Sequence, residues 1–102
     1  MEYPKKPGEC ENIGEVRKAL DQIDMEIIQL FARRNKYVRE IVKFKVGDEG
    51  IRARERREVV LEQRKAWAEE RDLDPEMMEE IFKILIEKNI QIQFEIYKKE
   101  DR

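Results

Sequence analysis

Arg34 and Lys45 are the residues whose placement asks for chemistry. An apolar stripe runs through Ile13, Val16, Leu20, Ile23, Ile27 and Leu30 and resumes at Val38 and Ile41, in steps of three and four. Continued at that period, it requires apolar residues at 34 and 45, and two cations stand there instead. Charges on an inward seam are costly unless something anionic meets them. On one helix Arg34 and Lys45 share a face, about three turns or ~16 Å apart, with Val38 and Ile41 between them. Two long cations over an apolar floor could clamp one small dianion. Arg17 lies ~25 Å from Arg34 along the same axis and about a quarter-turn away. It cannot join that site within one helix, but in an antiparallel dimer of the long helices the partner's Arg17 could. Further on, Phe82, Ile86, Asn89 and Gln93 make a second mixed face, from which Gln93 could donate a hydrogen bond into the same space.

Each of these residues also has a plainer reading. Inward cations often snorkel or pair with Glu on a neighbouring helix. A lone Asn on a heptad seam often sets register. Gln93 alone, and Arg17 at the edge of the stripe, read as surface residues. Periodicity by itself gives a helical homodimer with inward charges and names no substrate.

The elements that must position these side chains are all helical. Ile13 to Val46 reads as one long helix, entered through a capping box of Asn12 and Glu15 and closed by a loop over Gly47, Asp48, Glu49 and Gly50. It would be roughly 50 Å long, against a radius of gyration near ~13 Å for a compact chain of this size. The rest of the chain cannot cover it, so it needs a partner chain. A second helix is expected from Ala53 to Glu70, with Val60, Gln63 and Trp67 along one face. Asp74 followed by Pro75 is an N-cap and a first-turn proline. The third helix runs from there to about Tyr97, with Met78, Phe82, Leu85, Asn89, Ile92 and Ile96 at heptad-like spacing. The expected fold is all-α, three helices (long, medium, long): an arm over residues 1–12, one helical domain over 13–98 and a tail over 99–102.

Composition narrows the function. Of 102 residues 45% are charged, yet the net charge is only −2, which argues against a nucleic-acid partner. There is no histidine and one cysteine, Cys10, so no metal and no internal disulfide are expected. No apolar run approaches a membrane span, and Met1 to Gly8 lacks the apolar core of a signal peptide. The chain reads as cytoplasmic, with no membrane partner.

The run Val16-Arg17-Lys18-Ala19-Leu20-Asp21-Gln22-Ile23-Asp24, then Leu30-Phe31-Ala32-Arg33-Arg34 and Lys43-Phe44-Lys45, resembles the all-α chorismate mutases. Arg56 to Leu61, Trp67-Ala68-Glu69-Glu70, Leu73-Asp74 and Gln93 resemble the isochorismate pyruvate lyase branch of that fold. The resemblance spans about Cys10 to Tyr97. It implies an intertwined homodimer of the type II fold, without cofactor, acting on a small dicarboxylate. Each site would take Arg17 from one chain and Arg34, Lys45 and Gln93 from the other. By resemblance Arg17 and Arg34 bind the two carboxylates, and Lys45 and Gln93 hydrogen-bond the ether oxygen that leaves the ring. Asn89 assists a carboxylate, Arg56 helps bind the substrate, and Ile41, Val60, Ile86 and Ile90 are apolar walls.

A pericyclic rearrangement in such a pocket needs no nucleophile, metal or general base, so the missing histidine costs nothing. Two positions depart from the pattern. Where many mutases carry an acid for the ring hydroxyl, Arg57 stands here, with Glu58 next, and another acidic position holds Ala53. The expected activity is chorismate to prephenate. Isochorismate pyruvate lyase, giving salicylate and pyruvate, and a non-catalytic helical dimer are the alternatives.

Overall fold

The computed structural model describes residues 5–100, and among them it has helices and no strand. The chain divides into two compact units, Met1–Lys36 and Tyr37–Arg102.

The first unit is the N-terminal arm and most of helix α1, which spans Ile13–Glu40. Half of the expected capping box forms: the Asn12 side-chain oxygen accepts from the Glu15 N–H at 2.9 Å. The Glu15 carboxylate accepts instead from the Glu11 N–H at 3.4 Å and pairs with Lys5 at 2.9 Å. Within the arm, Pro7–Glu9 forms a 3-10 turn. No residue of α1 is buried, and its stripe stays open, with Ile13 64%, Leu20 52% and Leu30 57% exposed.

The second unit holds a 3-10 turn (Ile41–Phe44) and helices α2 (Gly47–Arg52), α3 (Arg54–Glu69) and α4 (Pro75–Lys99). Helix α4 is its axis: α3, α2 and the 3-10 turn all pack on it. The core is small, consisting of Val42, Ile51, Val60, Leu61 and Ala68 with the polar Asn89 and Gln93. Full burial of a side chain such as Val42 or Ile51 is worth about 1.5–3 kcal/mol.

Three expectations are corrected. The long helix stops at Glu40 rather than Val46, because the tighter 3-10 turn is what brings Val42 fully inside. The loop expected at Gly47–Gly50 is the start of α2. Asp48 and Glu49 in its first turn suit the positive end of the helix, and Ile51 anchors it in the core. On α3 the inward face runs through Val60, Leu61 and Ala68, while Gln63 and Trp67 are exposed. Helix α3 begins directly after Ala53, which takes the left-handed conformation at φ 44° and so turns the chain sharply out of α2.

The remaining boundaries follow their signals. Asp72 adopts φ 58°, and the Leu73 N–H closes on the Ala68 carbonyl at 2.9 Å, which ends α3. The Asp74 carboxylate then accepts from the Glu76 N–H at 3.0 Å, capping α4 behind Pro75. No helix among the described residues is long and apolar enough to cross a membrane. Asp74→Ala should therefore lower stability by about 1 kcal/mol. Urea unfolding of both proteins at one fixed concentration checks this, and an unchanged midpoint would mean that the cap contributes nothing.

Candidate active site

The second unit brings Lys45 and Gln93 into direct contact. After the 3-10 turn closes, with the Lys45 N–H on the Val42 carbonyl at 3.1 Å, Lys45 is extended at φ −105°, ψ 144°. Its position on the same helix face as Arg34 is thus corrected: Lys45 lies beyond the helix, on the strap between the 3-10 turn and α2. From there its Nζ donates to Gln93 Oε1 at 2.8 Å and to the Ile51 carbonyl at 3.0 Å. The last carbonyls of a helix lack partners within it. Ile51 lies in the last turn of α2, so its oxygen is free of the helix and points at the cation.

Gln93 is only 5% exposed, and its orientation is fixed by chemistry. An ammonium can only donate, so the amide oxygen must face Lys45 and the amide NH₂ must turn the other way. Asn89, one turn earlier on α4, is also buried. Partial burial holds the Lys45 pKa below the ordinary lysine value, because the charged form loses hydration.

The other candidate residues are placed as follows. In the first unit, Arg34 is half-buried on α1, and burial lowers the pKa of its guanidinium, while Arg17 is exposed. In the second, Val60 is buried, Ile86 and Ile90 are half-buried, Ile41 is 44% exposed and Arg56 is exposed. It is the next residue, Arg57, that turns toward α4, with its guanidinium 3.7 Å from Glu87, whereas Glu58 is exposed. Arg57, Arg52, Arg54, Glu87 and Ile90 line an open cleft of about 290 Å³. Arg52 lies over the Phe94 ring at 5.1 Å.

Two participants escape a sequence reading. One is the Ile51 carbonyl, a backbone atom that no side-chain pattern reports. The other is Tyr97, whose hydroxyl accepts from the Gly47 N–H at 3.0 Å. Its only sequence signal is its place four residues after Gln93 on the same helix. Chemically, a partly buried ammonium beside an oriented amide gives fixed donors that can stabilise charge developing on an oxygen.

Over most of its length the chain is similar to known proteins. The sequence profile of the chorismate mutase type II family matches residues 16–94. An isochorismate pyruvate lyase of Pseudomonas aeruginosa is 38% identical over 82 residues, covering 80% of this chain and 81% of the relative. A chorismate mutase of Methanocaldococcus jannaschii is 32% identical over 85 residues, covering 81% of this chain and 85% of the relative. The matched stretch runs from just before Arg17 to just past Gln93, and on that ground the chain belongs to the chorismate mutase type II family.

Proposed function

We propose that this chain is a chorismate mutase, converting chorismate to prephenate in a cationic pocket shared between two copies. The observation that carries the reading is the Lys45–Gln93 pair, an ammonium 2.8 Å from a buried amide. In this rearrangement the ring–oxygen bond of the enolpyruvyl ether breaks as a carbon–carbon bond forms, and negative charge grows on the ether oxygen. Lys45 and the Gln93 NH₂ are the donors for that oxygen. Arg34 and the partner subunit's Arg17 take the two carboxylates, and Asn89 assists one of them. Arg56 helps bind the substrate, and Ile41, Val60, Ile86 and Ile90 wall the pocket. These groups also hold the enolpyruvyl side chain over the ring in a reactive conformer. The homodimer is supported by α1, a 28-residue helix without one buried residue.

A second reading, isochorismate pyruvate lyase, is favoured by two observations. The relative with 38% identity carries that name. Arg57 also stands where many mutases hold an acid for the ring hydroxyl, and here it faces Glu87. In that reaction the same ether bond breaks while a ring hydrogen passes to the enolpyruvyl methylene, leaving salicylate and pyruvate. The same donors serve both reactions.

Steady-state assays on both compounds, following prephenate and salicylate separately, test these readings. Turnover of both is expected, because the residues for the shared parts of the two substrates are present. A protein that turns over neither compound would be a non-catalytic dimer of the same fold.

Lys45→Ala should lower kcat by about 10²- to 10³-fold, the usual effect of removing one such donor, and Lys45→Met should be nearly as inactive. In the wild type, deprotonating Lys45 removes its charge and leaves only a weak neutral donor, so kcat/KM should fall with rising pH. With its pKa lowered by burial, that limb should lie below the ordinary lysine range of about 10.4. Near-full kcat in either variant, or a flat profile through that range, refutes the role.

A mixed dimer tests the shared pocket. When Arg17→Ala chains are combined with Lys45→Ala chains, one site of each heterodimer carries both lesions and the other carries neither. Activity should be partly restored on mixing, and proven heterodimers without recovery would exclude a site built from two chains.

A further inference from the structure

Helix α2 starts at Gly47, only two residues after Lys45, and its first N–H groups have no partner inside the helix. The residue before it, Val46, offers no side-chain cap. The Gly47 N–H is met instead from another helix, by the Tyr97 hydroxyl of α4 at 3.0 Å. Gly47 itself adopts φ 72°, and a Cβ built there would meet nothing within 4 Å. Its backbone angle, rather than crowding, is therefore what calls for glycine. At the other end of α2, the Ile51 carbonyl holds the Lys45 ammonium, which also donates to Gln93, one turn before Tyr97 on α4. The contacts form a closed circuit: Tyr97 to Gly47, along α2 to Ile51, across to Lys45 Nζ, on to Gln93, and along α4 back to Tyr97.

We propose that Tyr97 is a positioning residue for Lys45: its hydroxyl, by holding the Gly47 N–H, keeps α2 and the Ile51 carbonyl where they aim the ammonium at Gln93. Tyr97 touches no reacting atom and acts through Lys45, so the inference rests on the role of Lys45 proposed above. Tyr97 is half-buried, and phenylalanine keeps its ring, so removal of the oxygen alone isolates the tether.

The experiment is a double-mutant cycle of Tyr97→Phe and Lys45→Ala, measured as kcat and KM on whichever of the two substrates is turned over. Helix content and dimer mass are checked at assay concentration, and amide hydrogen exchange is followed at Gly47. Loss of one hydrogen bond should lower kcat roughly 3- to 10-fold in the wild-type background, with KM little changed and Gly47 exchange accelerated. In the Lys45→Ala background the same change should leave kcat where it is, because there is no ammonium left to aim. Gly47→Ala disturbs the same turn without touching Tyr97 and should repeat the pattern. An equal fold-loss in both backgrounds would make Tyr97 merely structural and overturn the proposal, as would an unaltered kcat in Tyr97→Phe. If Lys45→Ala alone leaves kcat intact, the catalytic role of Lys45 falls and the proposal with it. That failure is distinct from a cycle in which Lys45 matters and Tyr97 acts independently of it.

Discussion

A lysine ammonium drawn partly out of water must find acceptors, and much of the second unit is arranged to supply them. Lys45 takes one from the end of α2 and one from the side of α4. For the first to be in reach, a short helix must follow the lysine almost at once and end with an oxygen turned back. For the second, the chain must leave α1 before Lys45, since an extended residue carries the side chain across to α4. Val42 and Ile51, both fully buried, flank Lys45 in sequence and anchor the segments on either side of it.

The same demand shows in α4, the helix on which the rest of the second unit packs. Its deepest residues are Asn89 and Gln93 rather than its isoleucines. A buried amide is tolerated only when it is hydrogen-bonded, and Lys45 meets that need for Gln93. The apolar residues beside them are only half-buried, and Leu30, Ile23 and Leu20 on α1 remain open. Among the described residues, apolar surface is thus left over while polar groups are enclosed. That imbalance suits a chain completed by a second copy and by an anionic substrate.

Much of the fold was legible because it rests on local signals. Asp74-Pro75 marked the start of α4, and the pairing of Asn12 with Glu15 marked that of α1. Gln93 and Lys45 could be picked out as polar residues on apolar faces. What could not be read was how they meet. Helical periodicity runs through Ile41 and Val42 without a break, so the switch to a 3-10 turn leaves no mark on the pattern. Two glycines around two acids look like a loop, and it is the burial of Ile51 that makes them a helix. On α3 the expected face ran through Val60, Gln63 and Trp67, and it is packing against α4 that selects Val60, Leu61 and Ala68 instead. Arg56 and Arg57 are neighbours, and only the packing of α3 decides which one turns to α4.

Helix α2 is entered through a left-handed residue, Gly47, and left through another, Ala53. Both joints are sharp, and the helix between them is less than two turns long. Each residue added or removed between the joints would rotate everything after it by about 100°. The Ile51 carbonyl would then no longer point at Lys45, whatever side chains the new segment carried. Many surface loops absorb insertions and deletions readily. This segment should tolerate changes of residue at Asp48 or Glu49 far better than a change of length, so its evolution is constrained in spacing more than in composition.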